Sequence, residues 1–310
     1  MNVLEDNLIE KIIEDLSRLS VINRAFETMY HYTSPNNITN ILNKDNIQLR
    51  FTRFDCVNDT SEGKYAYDVF TEVCRGLNKN KKITNEYCNF LLELITDEAN
   101  NKYIAHSNET LQRIIGHKVK KGNGYICCFS KNHDSLPMWN YYVKNESYRG
   151  VNIGLHSNKL RYSLEGVPVS LYNVVYKESE LKRLFSEKII AYRKYFSNKD
   201  VNAKSNIACY IYVLINIMKY IAKKQCFEHE NEVRAIFFLD ESQRGLKQEF
   251  DWTRGFAIPY IKLTFNKDAF YMLNTGPLID SELAINNAKE YLNSCGYRKA
   301  VDVSKVPIRF

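Results

Sequence analysis

FEHENEVRAIFFL, residues 227–239, passes from alternating charges into an unbroken apolar run. Glutamates stand at 228, 230 and 232, and an arginine follows at 234. Side chains two residues apart lie on one face of a β-strand, so these four would form a charged face if the whole stretch were extended. The apolar alternation begins only with Val233 and Ala235. The pattern therefore predicts a strand that starts near Asn231 and a turn before it.

The composition indicates a globular protein with a sizeable core. Hydrophobic residues make up 45% of the 310 residues and charged residues 25%. Tyrosine (22) and phenylalanine (16) outnumber glycine (12) and proline (6), which favours a regular framework and a site that stacks planar ligands. The net charge of +7 is compatible with a polyanionic partner. The short basic groups KNKK, KVKK and IAKKQ are nevertheless expected on solvated helix faces.

Neither the cysteines nor the apolar segments predict an extracellular or membrane protein. The eight cysteines contain no Cys-x-x-Cys pair, so we expect reduced thiols in a cytoplasm rather than zinc or disulfides. The start, MNVLEDNLIEKIIEDL, is acidic and amphipathic, unlike a signal peptide. The most apolar segment, 207–222, contains Asn216 and Lys219 and is shorter than the ~20 residues that span a bilayer. A buried helix is predicted there.

The order of periodic segments predicts an α+β fold with a mostly antiparallel sheet. An amphipathic N-terminal helix is expected over residues 1–28, followed by a single domain over 29–310. Strands are expected at MYHYTS, IQLRFTRF, GYICCFS, RGVNIGL, VPVSLYNVVY, EVRAIFFL, FAIPYIKLTF and FYMLN, with a last short one in KAVDVSKVPIRF. Helices should concentrate in two insertions, at about 65–120 and 178–225. The first insertion contains three candidate helices, YDVFTEVCRGL, EYCNFLLELITDEA and TLQRIIGHKV.

Three motifs carry candidate site residues, and each also has a structural interpretation. YHYTS supplies Tyr30, His31, Tyr32 and Thr33, which could equally be packed core residues. NDTSE supplies Asn58, Asp59 and Glu62, a pattern that is also typical of a helix N-cap. CCFSKNHDSLPMWNYY, for which core packing is the alternative, supplies Phe129, Ser130, Trp139 and Tyr142.

Several common site signatures are missing from the sequence. It contains no Gly-x-Gly-x-x-Gly, Walker loop or His-Glu-x-x-His, and Ser130 lacks the Gly-x-Ser-x-Gly setting of a hydrolase. A single histidine in HEN, residues 229–231, is too little to predict a metal site. The glutamates could bind Mg²⁺ together with Asp59, but their spacing does not select this.

The ordered set YHYTS, NDTSE, CCFS, MWNYY, GVNIG, FEHENEVR, NTGP and SKVPIRF resembles the DUF2971 proteins of bacteria and their mobile elements. The resemblance runs from about Tyr30 to Arg309. Two positions depart from the family pattern: Phe227 stands where tryptophan is usual, and Thr60 where proline is common. No established activity follows from this family.

A more distant resemblance implies a chemistry. YHYTSPNNITNILNKDNIQL, residues 30–49, is similar to the opening of DarT-like and RNA 2′-phosphotransferase-like members of the ADP-ribosyltransferase superfamily. The resemblance implies a split-sheet core with NAD as substrate and no metal. It places His31 first in the superfamily signature, Ser130 or Tyr142 second, and Glu230 or Glu232 third.

The resemblance assigns each group a role in breaking the nicotinamide glycosidic bond. The late glutamate would stabilise the oxocarbenium-like ribose. His31 would anchor a ribose hydroxyl or the pyrophosphate, while Tyr32, Trp139 or Tyr142 would stack on a base. Arg234 would bind a phosphate or neutralise Glu230. The charged residues of FEHENEVR would then line a nucleotide cleft, the alternative being a solvated sheet edge.

The expected function is thus ADP-ribose transfer or NAD hydrolysis by a toxin or phage-defence effector, with a nucleic acid or protein as acceptor. One alternative is a Mg²⁺-dependent nuclease that uses Asp59, Glu62, Glu230 and Glu232. Another is a non-catalytic module that senses a nucleotide or a phage protein. Besides His31, Glu230 and Glu232, the expected site comprises Tyr30, Tyr32, Thr33, Asn58, Asp59, Glu62, Phe129, Ser130, Trp139, Tyr142 and Arg234.

Overall fold

The computed structural model describes residues 3–19, 28–57, 63–95, 103, 124–143, 149–197, 200–239, 245–253, 255–279, 282–298 and 300–307. The chain divides into two compact units. The helical unit comprises Met1–Val21, Val57–Asn123 and Val175–Cys226, and the sheet unit comprises Ile22–Cys56, Gly124–Val174 and Phe227–Phe310. Both segments expected as helical insertions fall within the helical unit. The expected single domain over 29–310 stays a prediction.

The described residues form a mixed α/β arrangement of helices and strands. The described helices are α1 (Val3–Leu19), α2 (Ile38–Ile41), α3 (Lys64–Lys79), α4 (Asn85–Glu93), α5 (Leu136–Val143), α6 (Glu178–Tyr192), α7 (Val201–Ile221) and α8 (Glu282–Ser294). The strands are β1 (Thr28–Thr33), β2 (Ile47–Arg53), β3 (Gly124–Ser130), β4 (Val151–His156), β5 (Ser170–Asn173), β6 (Glu232–Phe238), β7 (Gln248–Asp251), β8 (Ile258–Phe265), β9 (Phe270–Thr275) and β10 (Ala300–Val303).

The helical unit is built around α7, which is buried on nearly all sides. This confirms the buried helix predicted for 207–222, because a helix that is apolar all round must be covered by its neighbours. Among the described residues, no helix is both long enough and apolar enough to cross a membrane. Of the three helices predicted between 65 and 120, α3 and α4 are confirmed. The third, at 110–119, lies outside the described residues.

A buried carboxylate links α1 to α6 within the helical unit. Asp15 is 2% exposed and accepts hydrogen bonds from Lys188 Nζ at 2.7 Å and Tyr192 Oη at 2.9 Å. Burial raises the pKa of Asp15, but these hydrogen bonds and the charge of Lys188 outweigh burial and lower it below its usual value. Ionised Asp15 therefore stabilises this contact between helices.

The sheet unit contains an open sheet of ten strands over the described residues. Eight strands follow the order β10-β9-β4-β1-β3-β2-β8-β7, while β6 pairs with β3 and β5 beside this path. The described strand pairs are antiparallel except β9 with β10, which run parallel. The prediction of a mostly antiparallel sheet is confirmed. Strand β7 was not among the predicted strands.

The sheet branches at β3. One edge of β3 pairs with β6 along its full length, from Gly124↔Phe238 to Ser130↔Glu232. The other edge is shared: β1 meets it at Tyr30↔Ser130, and β2 meets it at Thr52↔Ile126. β1 and β2 therefore diverge from the middle of β3, so the sheet is split at this point.

The two faces of the sheet differ in chemistry around β3 and β6. Tyr125, Cys127 and Phe129 of β3 lie in the main apolar core with Val233, Ala235 and Phe237 of β6. Period-two alternation therefore places Cys128 and Ser130 with Glu232 and Arg234 on the opposite face, which we call the polar face. β6 lies between two strands and is almost entirely buried. The interpretation of its charges as a solvated sheet edge is therefore wrong.

Candidate functional site

A buried ion pair forms the centre of the polar face. Arg234 donates to both carboxylate oxygens of Glu232, with Nε–Oε1 at 2.9 Å and Nη2–Oε2 at 3.1 Å. Glu232 is 5% exposed and Arg234 1%. This bidentate geometry confirms that the two side chains share one face of the strand. It also fixes the orientation of the carboxylate.

The residues that precede β6 form the predicted turn. Gln225–Glu230 is a 3-10 helix, and Asn231 has a φ of +44°, a left-handed conformation that asparagine tolerates better than most residues. Glu228 is exposed, whereas Glu230 is 7% exposed. The turn therefore separates Glu228 and Glu230 from the strand that carries Glu232, although Glu230 is also buried.

Cys128 and Tyr142 extend the site around the ion pair. Cys128 is the register partner of Arg234, and its thiol hydrogen-bonds to Glu232. Burial and the charge of Glu232 raise the pKa of this thiol well above its usual value. Burial, together with the charges of Cys128, Glu232 and Glu230, likewise raises the pKa of Tyr142. Because 45% of Tyr142 is exposed, its ring reaches solvent while its hydroxyl lies among these acidic groups.

Ser130 joins the three distant sequence neighbourhoods. Tyr30 is its register partner in β1, and its Oγ donates to the Glu230 carbonyl at 2.7 Å. The same Oγ accepts from Asn132 N at 3.0 Å. Ser130 is fully buried, so these contacts use its hydroxyl to brace the turn and the loop. The stretches near 31, 130 and 230 thus meet in the sheet unit.

The aromatic candidates divide between packing and exposure. Tyr32 packs edge-on against Trp139 at 4.7 Å, and both are buried. The Tyr32 hydroxyl donates to the Asn132 carbonyl at 2.7 Å, and burial raises its pKa. Tyr30 is partly buried and lies edge-on to His133 at 5.2 Å. Of the aromatic candidates at the polar face, Tyr30 and Tyr142 retain exposed surface.

His31 lies on the other face of the sheet. Alternation along β1 places it with Met29, and its ring contacts Phe129 of the apolar core at 5.7 Å. Its Nδ1 donates to the Cys128 carbonyl at 3.0 Å, since a carbonyl can only accept. Burial lowers the pKa of His31, which favours the neutral ring. The structure therefore does not bring His31 or Phe129 to the Glu232–Arg234 pair.

The remaining candidates are Thr33, Asn58, Asp59 and Glu62. Thr33 is buried and accepts a hydrogen bond from Asn37 Nδ2 at 2.8 Å. Asn58, Asp59 and Glu62 lie outside the described residues. Within the described ranges, no group of three or more histidine, cysteine, aspartate or glutamate side chains is placed to hold a metal ion.

Five polar residues near the site escaped the motif analysis. Asn132, His133 and Asp134 lie in the loop after β3, and Asn152 and Asn274 lie in β4 and β9. The two asparagines are fully buried on neighbouring strands, in register with each other. Asn152 lies between Val151 and Ile153 in β4, and Asn274 follows Leu273 in β9. A buried polar side chain at such a position is the signal that could have identified them.

Comparison with curated proteins and with solved structures found no significant match. A family model does match, over a segment that runs from α5 to β6 and includes Trp139, Asn152, Glu232 and Arg234. The resemblance stated from the motifs is confirmed over this segment: residues 138–235 match DUF2971, a family described as a protein of unknown function.

Proposed function

We propose that the polar face beside the split of the sheet binds NAD, and that the protein transfers ADP-ribose or hydrolyses NAD. The observation that carries the proposal is the Glu232 carboxylate, which is buried beside the branch point and oriented by Arg234. Tyr142 and Tyr30 supply aromatic surface on the same face. A fixed carboxylate beside aromatic rings suits a ribose with its attached base.

The chemistry assigns distinct roles to these groups. The bond between ribose C1′ and the nicotinamide nitrogen breaks, and its electron pair leaves with nicotinamide. The positive charge that develops on the ribose is stabilised by Glu232. Water or another acceptor then forms a C1′–O bond and releases its proton to a carboxylate or to solvent. Arg234 already occupies both oxygens of Glu232, so Glu230 is the second candidate for accepting this proton.

His31 enters this proposal as a positioning residue. It lies on the apolar face, so it acts through the Cys128 carbonyl that it holds at the split. The thiol of the same residue touches Glu232 on the polar face. Replacing His31 would thus move Glu232 indirectly and would not remove a contact with the ligand.

Nicotinamide release from NAD, measured with and without EDTA, tests the proposal. We expect EDTA-insensitive release that falls at least ~100-fold in Glu232→Gln, because one preorganised electrostatic contact contributes about this much. Glu228→Gln is the matched control, since Glu228 is exposed and lies in the turn before β6. Full activity in a combined Glu230→Gln and Glu232→Gln variant would exclude the carboxylate mechanism.

A sensing module is the second candidate, and the ion pair itself favours it. Arg234 occupies both oxygens of Glu232, an arrangement that suits fixed recognition as well as catalysis. In that case calorimetry would detect NAD binding while no nicotinamide appears. Metal-dependent strand cutting in parallel tubes of DNA and RNA would instead support the nuclease alternative.

The cellular role and the acceptor follow from the same proposal. A toxin or defence effector that consumes NAD would arrest the growth of cells that express it. Expression of the wild-type chain beside Glu232→Gln, with cellular NAD measured in both cultures, tests this role. Labelled ADP-ribose on nucleic acid or on protein would identify the acceptor. Growth arrest by both proteins at unchanged NAD would contradict the proposed role.

A further inference from the structure

Three buried polar atoms without a hydrogen-bond partner cluster around the loop Lys131–Ser135. They are His133 Nε2, Asn152 Oδ1 and Asn274 Oδ1. Both asparagine side chains are fully buried. Buried polar atoms normally find partners, and an unsatisfied one costs about 1–3 kcal/mol. Three in one place therefore require an explanation.

Both asparagines direct their amide nitrogens at the same backbone carbonyl. Asn152 Nδ2 donates to the His133 carbonyl at 2.6 Å, and Asn274 Nδ2 donates to the same oxygen at 3.3 Å. Because a carbonyl only accepts, the nitrogen of each amide must face it, and each Oδ1 turns away. The fold thus leaves two acceptors unpaired in order to hold one backbone carbonyl. This arrangement fixes the position of the His133 backbone.

Other contacts hold the loop on both sides of His133. Before it, the Asn132 backbone bonds to Ser130 Oγ and to the Tyr32 hydroxyl. After it, Asp134 accepts from Ser304 Oγ at 2.6 Å and from Lys305 N at 2.7 Å. The His133 ring is therefore presented by a fixed backbone, edge-on to Tyr30.

We propose that His133 contacts the ligand of the polar face, and that Asn152 and Asn274 are positioning residues for it. This inference rests on the proposed function and deepens it. His133 Nε2 is a donor in one form of the ring and an acceptor in another, and a hydroxyl group can pair with either. The group that suits His133 is therefore a sugar hydroxyl, such as one of the ribose hydroxyls of NAD.

The contact is tested by NAD titration of His133→Ala beside His156→Ala. His156 is the matched control, because its Nδ1 is also buried and unpaired but its ring contacts Tyr271, away from the loop. Loss of one hydrogen bond should weaken NAD binding about tenfold in His133→Ala, while His156→Ala binds like wild type. In ¹⁵N spectra of the wild-type protein, the His133 Nε2 signal should shift on NAD addition. Unchanged affinity in His133→Ala, or an unmoved Nε2 signal in saturated protein, would overturn the contact.

The positioning role is tested in the ligand-free protein by hydrogen exchange. Asn152→Ser and Asn274→Ser should each speed amide exchange in residues 131–135 while leaving β8 unchanged, and should weaken NAD binding through the loop. Exchange as slow as in wild type would overturn the positioning role. Wild-type protein that binds no NAD would overturn both the proposed function and the His133 contact. If the wild-type protein binds NAD and His133→Ala binds it with the same affinity, this inference alone is overturned.

Discussion

At the scale of single residues, the contribution of the Glu232–Arg234 pair to stability depends on its burial. Removing two charges from water costs several kcal/mol per ion, and their attraction offsets this only with good geometry. The bidentate contact supplies that geometry. The intact pair therefore adds little to the free energy of unfolding. Removing one partner lowers that free energy strongly, because the other charge stays buried.

A double-mutant cycle on this pair should show that asymmetry. Arg234→Met leaves the Glu232 charge buried without its guanidinium, so the free energy of unfolding should fall by roughly 3–5 kcal/mol. Combining it with Glu232→Met should recover much of that loss, because no unpaired charge remains. Urea unfolding measures both. Arg183→Ala, which breaks an exposed pair with Glu187, should stay near wild type. A double variant less stable than Arg234→Met would contradict the prediction.

Gly150 should be intolerant of even one methyl group. A Cβ at this position would lie 2.1 Å from Val143 Cγ1, inside the last turn of α5. Gly150→Ala must displace that helix, and overpacking of this kind costs about 1–3 kcal/mol. Urea unfolding should show the loss, and Trp139 fluorescence should report the movement of α5. Gly245→Ala, which has open space, is the control. Equal stability of the two variants would show that α5 adapts freely.

At the scale of elements, the branch at β3 accounts for the placement of the site. β6 covers one edge of β3 completely, while β1 and β2 divide the other edge between them. The His31 imidazole hydrogen-bonds to a β3 carbonyl at the split. The polar face thus lies beside the split in the sheet, where the His31 side chain bonds to the β3 backbone.

Helix α3 offers a prediction about element stability. Gly76 lies in its last turns, and apart from the helix backbone and the two neighbouring residues no atom lies within 4 Å of the place a Cβ would take, so alanine would fit. Gly76→Ala should raise the free energy of unfolding by about 0.5–1 kcal/mol, because alanine restricts the unfolded chain. Gly166 also has open space but a φ of +75°, which strains an L-residue. Gly166→Ala should therefore destabilise. Thermal unfolding of both variants checks the sign, and stabilisation by both would contradict the argument.

At the scale of the whole molecule, carboxylates in both units predict sensitivity to acid. Asp15 in the helical unit has a lowered pKa. In the sheet unit, the Thr253 backbone amide and Arg50 lower the pKa of Asp251 to about 2. Because each folded pKa is below the unfolded value of about 3.9, the stabilisation is complete above that value. It is lost as pH falls through the folded pKa.

Urea midpoints measured between pH 7 and pH 2 check this expectation. The urea midpoint of the wild-type protein should decrease once the pH is lowered below about 4. Asp15→Asn and Asp251→Asn should each be less stable at pH 7 and show a flatter pH dependence. Glu14→Gln, on the exposed side of α1, should keep the wild-type slope. Identical slopes for all four proteins would assign the acid sensitivity to other groups.

The sequence by itself determined the local features. Alternation in FEHENEVRAIFFL predicts both the turn before Asn231 and the shared face of Glu232 and Arg234, because period-two geometry is a property of a single strand. The apolar run at 207–222 likewise predicts a buried helix, because no polar face is left for water. The ordered motifs identified the family resemblance over residues 138–235.

Only the tertiary structure decided which of these features lie together. Alternation within β1 separates Tyr30 from His31, but the register with β3 decides that Tyr30 joins the polar face and His31 the apolar one. The role of the buried asparagines in β4 and β9 is visible only in the structure, where the loop after β3 brings the His133 carbonyl to both amide groups. Strand register and loop position depend on contacts between segments distant in sequence, which no local period encodes.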